Sequence, residues 1–181
     1  MFDNFFSRRT GNKPARGIGS ADATGTTETA IDYSALVDCT TLTLTGAASI
    51  VQWKLPPGLT TLYGSEWGQA TLPGLPGTLT TLYCDGGSLT SLPTLPASLG
   101  TLVCSGNPLT GIPNSPASLT YLDCTDCAWT AGQVNALLAQ LVASGIGGGA
   151  VNCNGSNAAP TGAGVTAAAT LVGRFWTLTT S

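Results

Sequence analysis

The chain has 181 residues, enough to bury a sizeable core, with only 8% charged side chains and an abundance of Gly (24) and Pro (11). That is too apolar for a disordered chain and too rich in helix breakers for a helical bundle. The net charge of −3 is unevenly spread: four of the six cations fall in the first sixteen residues, and from residue 17 onward two cations face eight acids, which argues against nucleic-acid binding by the folded body.

Residues 1–30 read as an extended arm. Phe2, Phe5 and Phe6 precede Arg8, Arg9, Lys13 and Arg16, and no continuous apolar stretch marks a secretion signal or a membrane span. From Gly17 to Thr27 the chain is largely Gly, Ser, Thr and Ala without apolar periodicity. The arm is expected to hold a partner surface, with the aromatic rings in apolar pockets and the cations against acidic groups. The alternative is that it folds back over the first turn, at Leu42 and Leu44.

Residues 31–130 are organised by a period of twenty. Pro76, Pro96 and Pro116 repeat at that interval, as do Leu79, Leu99 and Leu119, then Leu82, Leu102 and Leu122, then Cys84, Cys104 and Cys124. Upstream, Leu59, Leu62 and Gly64, then Cys39, Leu42 and Leu44, extend the frame to five turns. Alternation predicts a short strand per turn whose apolar face is buried only by stacking on its neighbours, hence a sheet of short parallel strands. The return segments Leu72-Pro73-Gly74-Leu75-Pro76 and Leu92-Pro93-Thr94-Leu95-Pro96 forbid helix and predict an extended, Pro-rich convex side. The unit Leu99-Gly-Thr-Leu102-Val-Cys104-Ser-Gly-Asn107-Pro-Leu109 reads L-x-x-L-x-C-x-x-N-x-L and resembles the leucine-rich repeat, in the short bacterial form found in enterobacterial effectors. The fold class expected is therefore α/β, a leucine-rich-repeat solenoid.

In residues 131–181 the period changes. Thr130 with Gln133 forms a capping box opening a helix with Val134, Leu137, Leu138, Leu141 and Val142 on one face. Gly145 to Gly149 end it and lead into a strand at Ala150–Cys153. A second helix carries Val165, Ala168, Ala169 and Val172, and a last strand holds Trp176-Thr177-Leu178. This helix-strand-helix-strand segment is expected to cap the solenoid, with Val151 and Trp176 extending the Leu122 column and Cys153 and Leu178 extending the Cys124 column. The run from Asn157 through Pro160, Gly164 and Thr170, followed by Gly173-Arg174-Phe175-Trp176, resembles a C-terminal element of tailed-bacteriophage structural proteins. It departs from that pattern at Phe175, where Gly is usual, and at Cys153, where an aliphatic residue is usual. The resemblance implies a virion component and carries no catalytic or ligand residues.

Candidate chemistry is sparse. With no histidine, the Ser-His-Asp and Cys-His nucleophiles and nearly all zinc-hydrolase sets are excluded. Cys84, Cys104, Cys124 and Cys153 form one column, whose neighbours on parallel strands stand roughly 4.8 Å apart, within disulfide reach. A linear column cannot surround a metal, so buried thiols filling leucine slots are expected, with disulfides as the alternative. Cys127 occupies the Asn107 slot, where side chains bond the turn backbone. The run Gly145–Gly149 leads from helix to strand, opposite to a phosphate loop. Asp85, Asp123 and Asp126 could pair as in calcium sites or glycosidases, although acids on an exposed edge are ordinarily solvated.

The outward strand positions carry the expected binding surface on the concave face: Thr61, Thr81, Thr101 and Tyr121 in one file, Tyr63, Tyr83, Val103 and Asp123 in the next, then Ser65, Asp85, Ser105 and Thr125. Hydroxyl- and Tyr-rich faces suit glycan or protein contact, and the same residue types also simply favour strands. The function expected is a non-enzymatic virion structural protein of a tailed phage, of the capsid-decoration or head-fibre type, made in the host cytoplasm and bound to other virion proteins through its arm. No cofactor, nucleic-acid partner or membrane span is expected. A tail or neck component contacting virion proteins or host glycans, and a bacterial effector binding a host protein, are the alternatives.

Overall fold

A computed structural model of the chain describes residues 19–22, 24, 30–46 and 52–181. Its centre is one sheet of eight parallel strands: β1 (Ser20–Asp22), β3 (Thr41–Thr43), β5 (Thr61–Tyr63), β6 (Thr81–Tyr83), β7 (Thr101–Val103), β8 (Tyr121–Asp123), β9 (Gly149–Cys153) and β10 (Trp176–Thr180), in that spatial order. From β3 to β8 the strands start twenty residues apart at 41, 61, 81, 101 and 121, a spacing consistent with a solenoid. Two further strands, β2 (Ala30–Asp32) and β4 (Gln52–Lys54), pair in parallel as a separate sheet.

The register explains the periodicity. Ala21, Leu42, Leu62, Leu82, Leu102, Leu122, Val151 and Leu178 are aligned across the eight strands. The leucines from 42 to 122 and Val151 are fully buried. Each strand is only three residues long up to β8, so it turns a single central side chain inward, and the rest of each turn and the stacking of neighbours complete the core. Pro76, Pro96 and Pro116 owe their repetition to turn closure, since their carbonyls accept from the N–H groups of Leu79, Leu99 and Leu119 at 3.0–3.1 Å. Between those turns and the preceding strands the Pro-containing segments 72–76 and 92–96 carry no helix, while Leu72, Leu92 and Leu95 are buried.

Hydroxyl side chains that the period alone does not single out tie the turns together. Thr60 Oγ1 donates to the Thr40 carbonyl and Thr80 Oγ1 to that of Thr60, each at 3.0 Å. Thr78, Ser98 and Ser118 each bridge two carbonyls of the preceding turn. Asn107, 1% exposed, is a second clamp: it accepts from Leu89 N–H and donates to the Cys84 carbonyl at 2.8 Å.

Beyond β8, helix α1 (Ala131–Ala143) opens on the capping box, with Gln133 N–H donating to Thr130 Oγ1 and Thr130 N–H to Gln133 Oε1. Its buried face is Val134, Leu137, Leu138 and Leu141. The glycines from 145 to 149 join it to β9, with Gly145 and Gly148 at φ 73° and 80°. Helix α2 (Ala163–Gly173) then leads to β10. Trp129 Nε1 donates to the Leu109 carbonyl (2.7 Å) and Trp176 Nε1 to that of Ile146 (3.1 Å), joining this segment to the turn before it and to itself.

Two expectations are corrected, one on the register of β10 and one on the arm, and the structure adds the buried face of α2, on which the sequence carries no expectation. In β10, Leu178 pairs with Val151 and Trp176 with Gly149, so Leu178, not Trp176, extends the Leu122 column and Thr180 stands beside Cys153. The larger β9 and β10 strands admit a shift of two because either choice keeps the same face inward. In α2 the exposed residues include Val165, Ala169 and Val172, whereas Gly164 and Leu171 are buried. A Cβ at Gly164 would overlap the Asn135 side chain, so the absence of one sets which face of α2 lies against α1. Residues 20–22 of the expected arm are a strand paired with the first turn, Ala21 beside Leu42, where the fold-back alternative put the arm; it is held because Gly19 O accepts from Thr40 and Thr41 N–H (3.0 and 3.2 Å). Phe2, Phe5, Phe6, Arg8, Arg9, Lys13 and Arg16 lie outside the described residues.

Candidate functional site: the outward face of the sheet

Side chains alternate across a strand, so every buried central residue is flanked by two that face away from the core. Parallel in-register pairing turns these into two continuous rows. One runs Ser20, Thr41, Thr61, Thr81, Thr101, Tyr121, Ala150, Thr177; the other runs Asp22, Thr43, Tyr63, Tyr83, Val103, Asp123, Asn152, Thr179. The first two of the three expected files are therefore brought together, and each extends beyond the five turns that the period revealed, while Ser65, Asp85, Ser105 and Thr125 lie beyond the strand ends. Asp22 and Asp123 are the only charged residues in either row.

Tyr63 and Tyr83 stack at the centre of this face, with ring centroids 5.1 Å apart and planes 26° from parallel. Tyr63 is 40% exposed, the most open large apolar side chain of the rows. Tyr121 accepts a hydrogen bond from Asn152 Nδ2 at 3.3 Å, which adds Asn152, a residue the sequence pattern did not single out. The stacked rings and the hydroxyls beside them make a shallow face with apolar area and polar tips, able to hold a ligand by stacking and hydrogen bonds without net charge.

The acids at the strand ends do not form a pair. Asp85 accepts from Ser65 Oγ of the preceding turn (2.7 Å), Asp126 from Ser156 N–H of the following unit (2.7 Å) and Asp123 from Thr125 N–H within its own loop (3.0 Å), so each is engaged with a different partner. Among the described residues no group of three or more Cys, Asp or Glu side chains is placed to hold a metal ion. No helix among them is long and apolar enough to cross a membrane.

All six cysteines are buried and free of disulfides. Burial pushes the thiols of Cys39, Cys84 and Cys104 up and that of Cys127 up to about 11. Cys127 does occupy the Asn107 slot: its thiol donates to the Cys104 carbonyl (3.6 Å), as Asn107 does to Cys84 one turn earlier. Asn157 repeats the same role in the next unit, accepting from Trp129 N–H and donating to the Cys124 carbonyl (2.8 Å), although longer connections hide it from the twenty-residue period.

The end of α2 carries an unusual combination. Phe175 is 89% exposed and sits at φ 66°, a left-handed conformation that glycine favours. Since the ring packs on little, Phe175→Gly relieves strain without removing core contacts. It is expected to stabilise the chain by about 1 kcal/mol, read as a melting temperature higher by about 2–4 °C. A lower melting temperature would show that the added unfolded-chain entropy of glycine, together with any packing by the ring, outweighs the strain at this position.

Comparison with protein-family models and with curated proteins returns no match for this chain.

Proposed function

We propose that the chain is a non-enzymatic binding protein of a tailed-phage particle, a capsid-decoration or head-fibre type component. In this reading its turns are leucine-rich repeats, the α1-to-β10 segment caps them, the Pro-rich side is convex, and the N-terminal arm anchors the chain to other virion proteins. The observation that carries the binding role is the pair of outward rows, uncharged but for Asp22 and Asp123, with the Tyr63–Tyr83 stack exposed at their centre. Such a face suits a glycan or a protein surface, because tyrosine offers contact area at low conformational cost. The engagement of Asp85, Asp123 and Asp126 with separate partners, Ser65, Thr125 and Ser156, supports binding over acid–base chemistry. Support for the virion context comes from the resemblance of the C-terminal segment, and position 175 has the left-handed φ that suits the glycine usual there.

The test is quantitative mass spectrometry of purified particles from the phage that encodes the chain. The expected result is a copy number that matches the capsid lattice. A count of a few copies per particle would favour the tail or neck, and absence from particles would overturn the virion role.

A further inference from the structure

The second outward row is nearly symmetric about its two tyrosines. Its order is Asp22, Thr43, Tyr63, Tyr83, Val103, Asp123, so the pair has one short side chain on each side and an acid one strand further out. The ring centroids stand 5.1 Å apart, close to the roughly 4.8 Å between neighbouring strands, and the planes are 26° from parallel. The rings are therefore stacked along the row, each covering one face of the other. The remaining face of Tyr63 looks over Thr43 towards Asp22, and that of Tyr83 looks over Val103 towards Asp123. Each of these spaces is two strand spacings wide, roughly 10 Å from ring to acid.

The two acids are held alike. Asp22 Oδ1 accepts from the N–H of Thr24 at 2.9 Å, and Asp123 Oδ1 from that of Thr125 at 3.0 Å. The residue two places on thus fixes one oxygen of each carboxylate, and Oδ2 takes part in neither bond. Beside Asp123, the Tyr121 hydroxyl accepts from Asn152 and keeps its own proton to donate.

We propose that each outer ring face of the Tyr63–Tyr83 pair is a subsite for one pyranose ring of a neutral glycan, with Asp22 and Asp123 accepting hydrogen bonds from its hydroxyls. The C–H face of a pyranose is apolar and stacks on a tyrosine ring. Its hydroxyls donate to a carboxylate more strongly than to a neutral acceptor. The hydroxyls of Thr43 and Tyr121 both donate and accept, as those of a sugar do. Uronic and sialic acids would meet Asp22 or Asp123 with like charge, so the face selects against them. An arginine of a partner protein also suits a ring beside an acid, but it only donates and leaves the acceptor sites of a threonine-lined face half matched. The inference rests on the reading of this face as the binding surface and not on the virion role.

The test is isothermal titration calorimetry of the full-length chain. The probes are neutral oligosaccharides of glucose, mannose, galactose, rhamnose and N-acetylglucosamine, with hexagalacturonate as the acidic probe and hexa-arginine as the cationic one. At least one neutral probe should bind and hexagalacturonate should not. Tyr63→Ala and Tyr83→Ala should each weaken that binding by about tenfold, and Asp123→Ala by about threefold. Tyr63→Phe and Tyr83→Phe keep the rings and should bind within about twofold of the parent. No binding by any neutral probe, equal binding of hexagalacturonate, or affinity unchanged in both alanine variants would overturn the proposal. Binding of hexa-arginine alone would overturn it in favour of a cationic protein partner. Should an alanine variant at a tyrosine fail to fold, Asp123→Ala and the parent's choice of neutral over acidic probes decide. If every sugar fails, the glycan assignment falls while the virion role, decided by copy number in particles, is untouched.

Discussion

Leu102→Ala should lower the unfolding free energy by about 2–5 kcal/mol, while Val103→Ala, one residue away, should change it by less than about 0.5 kcal/mol. Leu102 is fully buried between Leu82 and Leu122, its in-register neighbours on both sides. Truncation leaves a cavity that neither neighbour can fill, because each is fixed by its own strand. Val103 instead faces outward beside Tyr83 and Asp123. The cost at Leu102 is also poorly contained. In a stack where each turn contacts only its neighbours, a central defect weakens two interfaces at once and separates the turns before it from those after it. Against a total stability of about 5–15 kcal/mol this is a large fraction, and urea unfolding of the two variants measures it directly. Equal losses at positions 102 and 103 would mean that the sheet does not present alternate residues to the core as its register requires.

That contrast also marks how far the sequence could be read. The period of twenty was legible because Leu82, Leu102, Leu122 and the cysteines recur without insertion, and alternation then placed Thr61, Tyr63 and their equivalents outside. The capping box at Thr130 and the buried face of α1 were legible because polar and apolar residues there alternate with helical period. Three features were not. Strand β1 is Ser-Ala-Asp, with no apolar pattern, and is specified by backbone pairing to Thr40 and Thr41 that leaves no mark in composition. Helix α2 is apolar on most sides, so periodicity could not tell which face is buried, and the decision rests on Gly164 against Asn135. In β10 the inward positions Trp176 and Leu178 are both apolar, so the pattern tolerates either register. Asn152 escaped notice for a different reason: the alignment of Val151 with Leu122 already puts it beside Asp123, but the regular turns that trace the outward rows stop before it.

Deleting residues 1–16 should abolish incorporation into particles and leave the melting temperature of the isolated chain unchanged. The proposed anchoring role rests on the chemistry of Phe2, Phe5, Phe6, Arg8, Arg9, Lys13 and Arg16, all of which this deletion removes. Every described element survives it, including Gly19, whose carbonyl receives the two N–H groups that hold the edge of the sheet. A longer deletion, through Thr24, provides the contrast. It removes β1, opens the edge of β3 and uncovers the Ala21 contact beside Leu42, so that variant should lose stability as well as incorporation. Two partial variants separate the contributions within the arm. Replacing the three phenylalanines by alanine should weaken incorporation at all ionic strengths, because apolar burial is little affected by salt. Replacing the four cations by glutamine should weaken it most at low salt, where the parent gains most from attraction to acidic groups. Particle-associated protein is measured by quantitative mass spectrometry and stability by thermal melting of the purified chain. If the chain lacking residues 1–16 still enters particles at the parent copy number, the anchor lies on the folded body, and the exposed apolar residues at the end of α2, Val172 and Phe175, become the next to substitute.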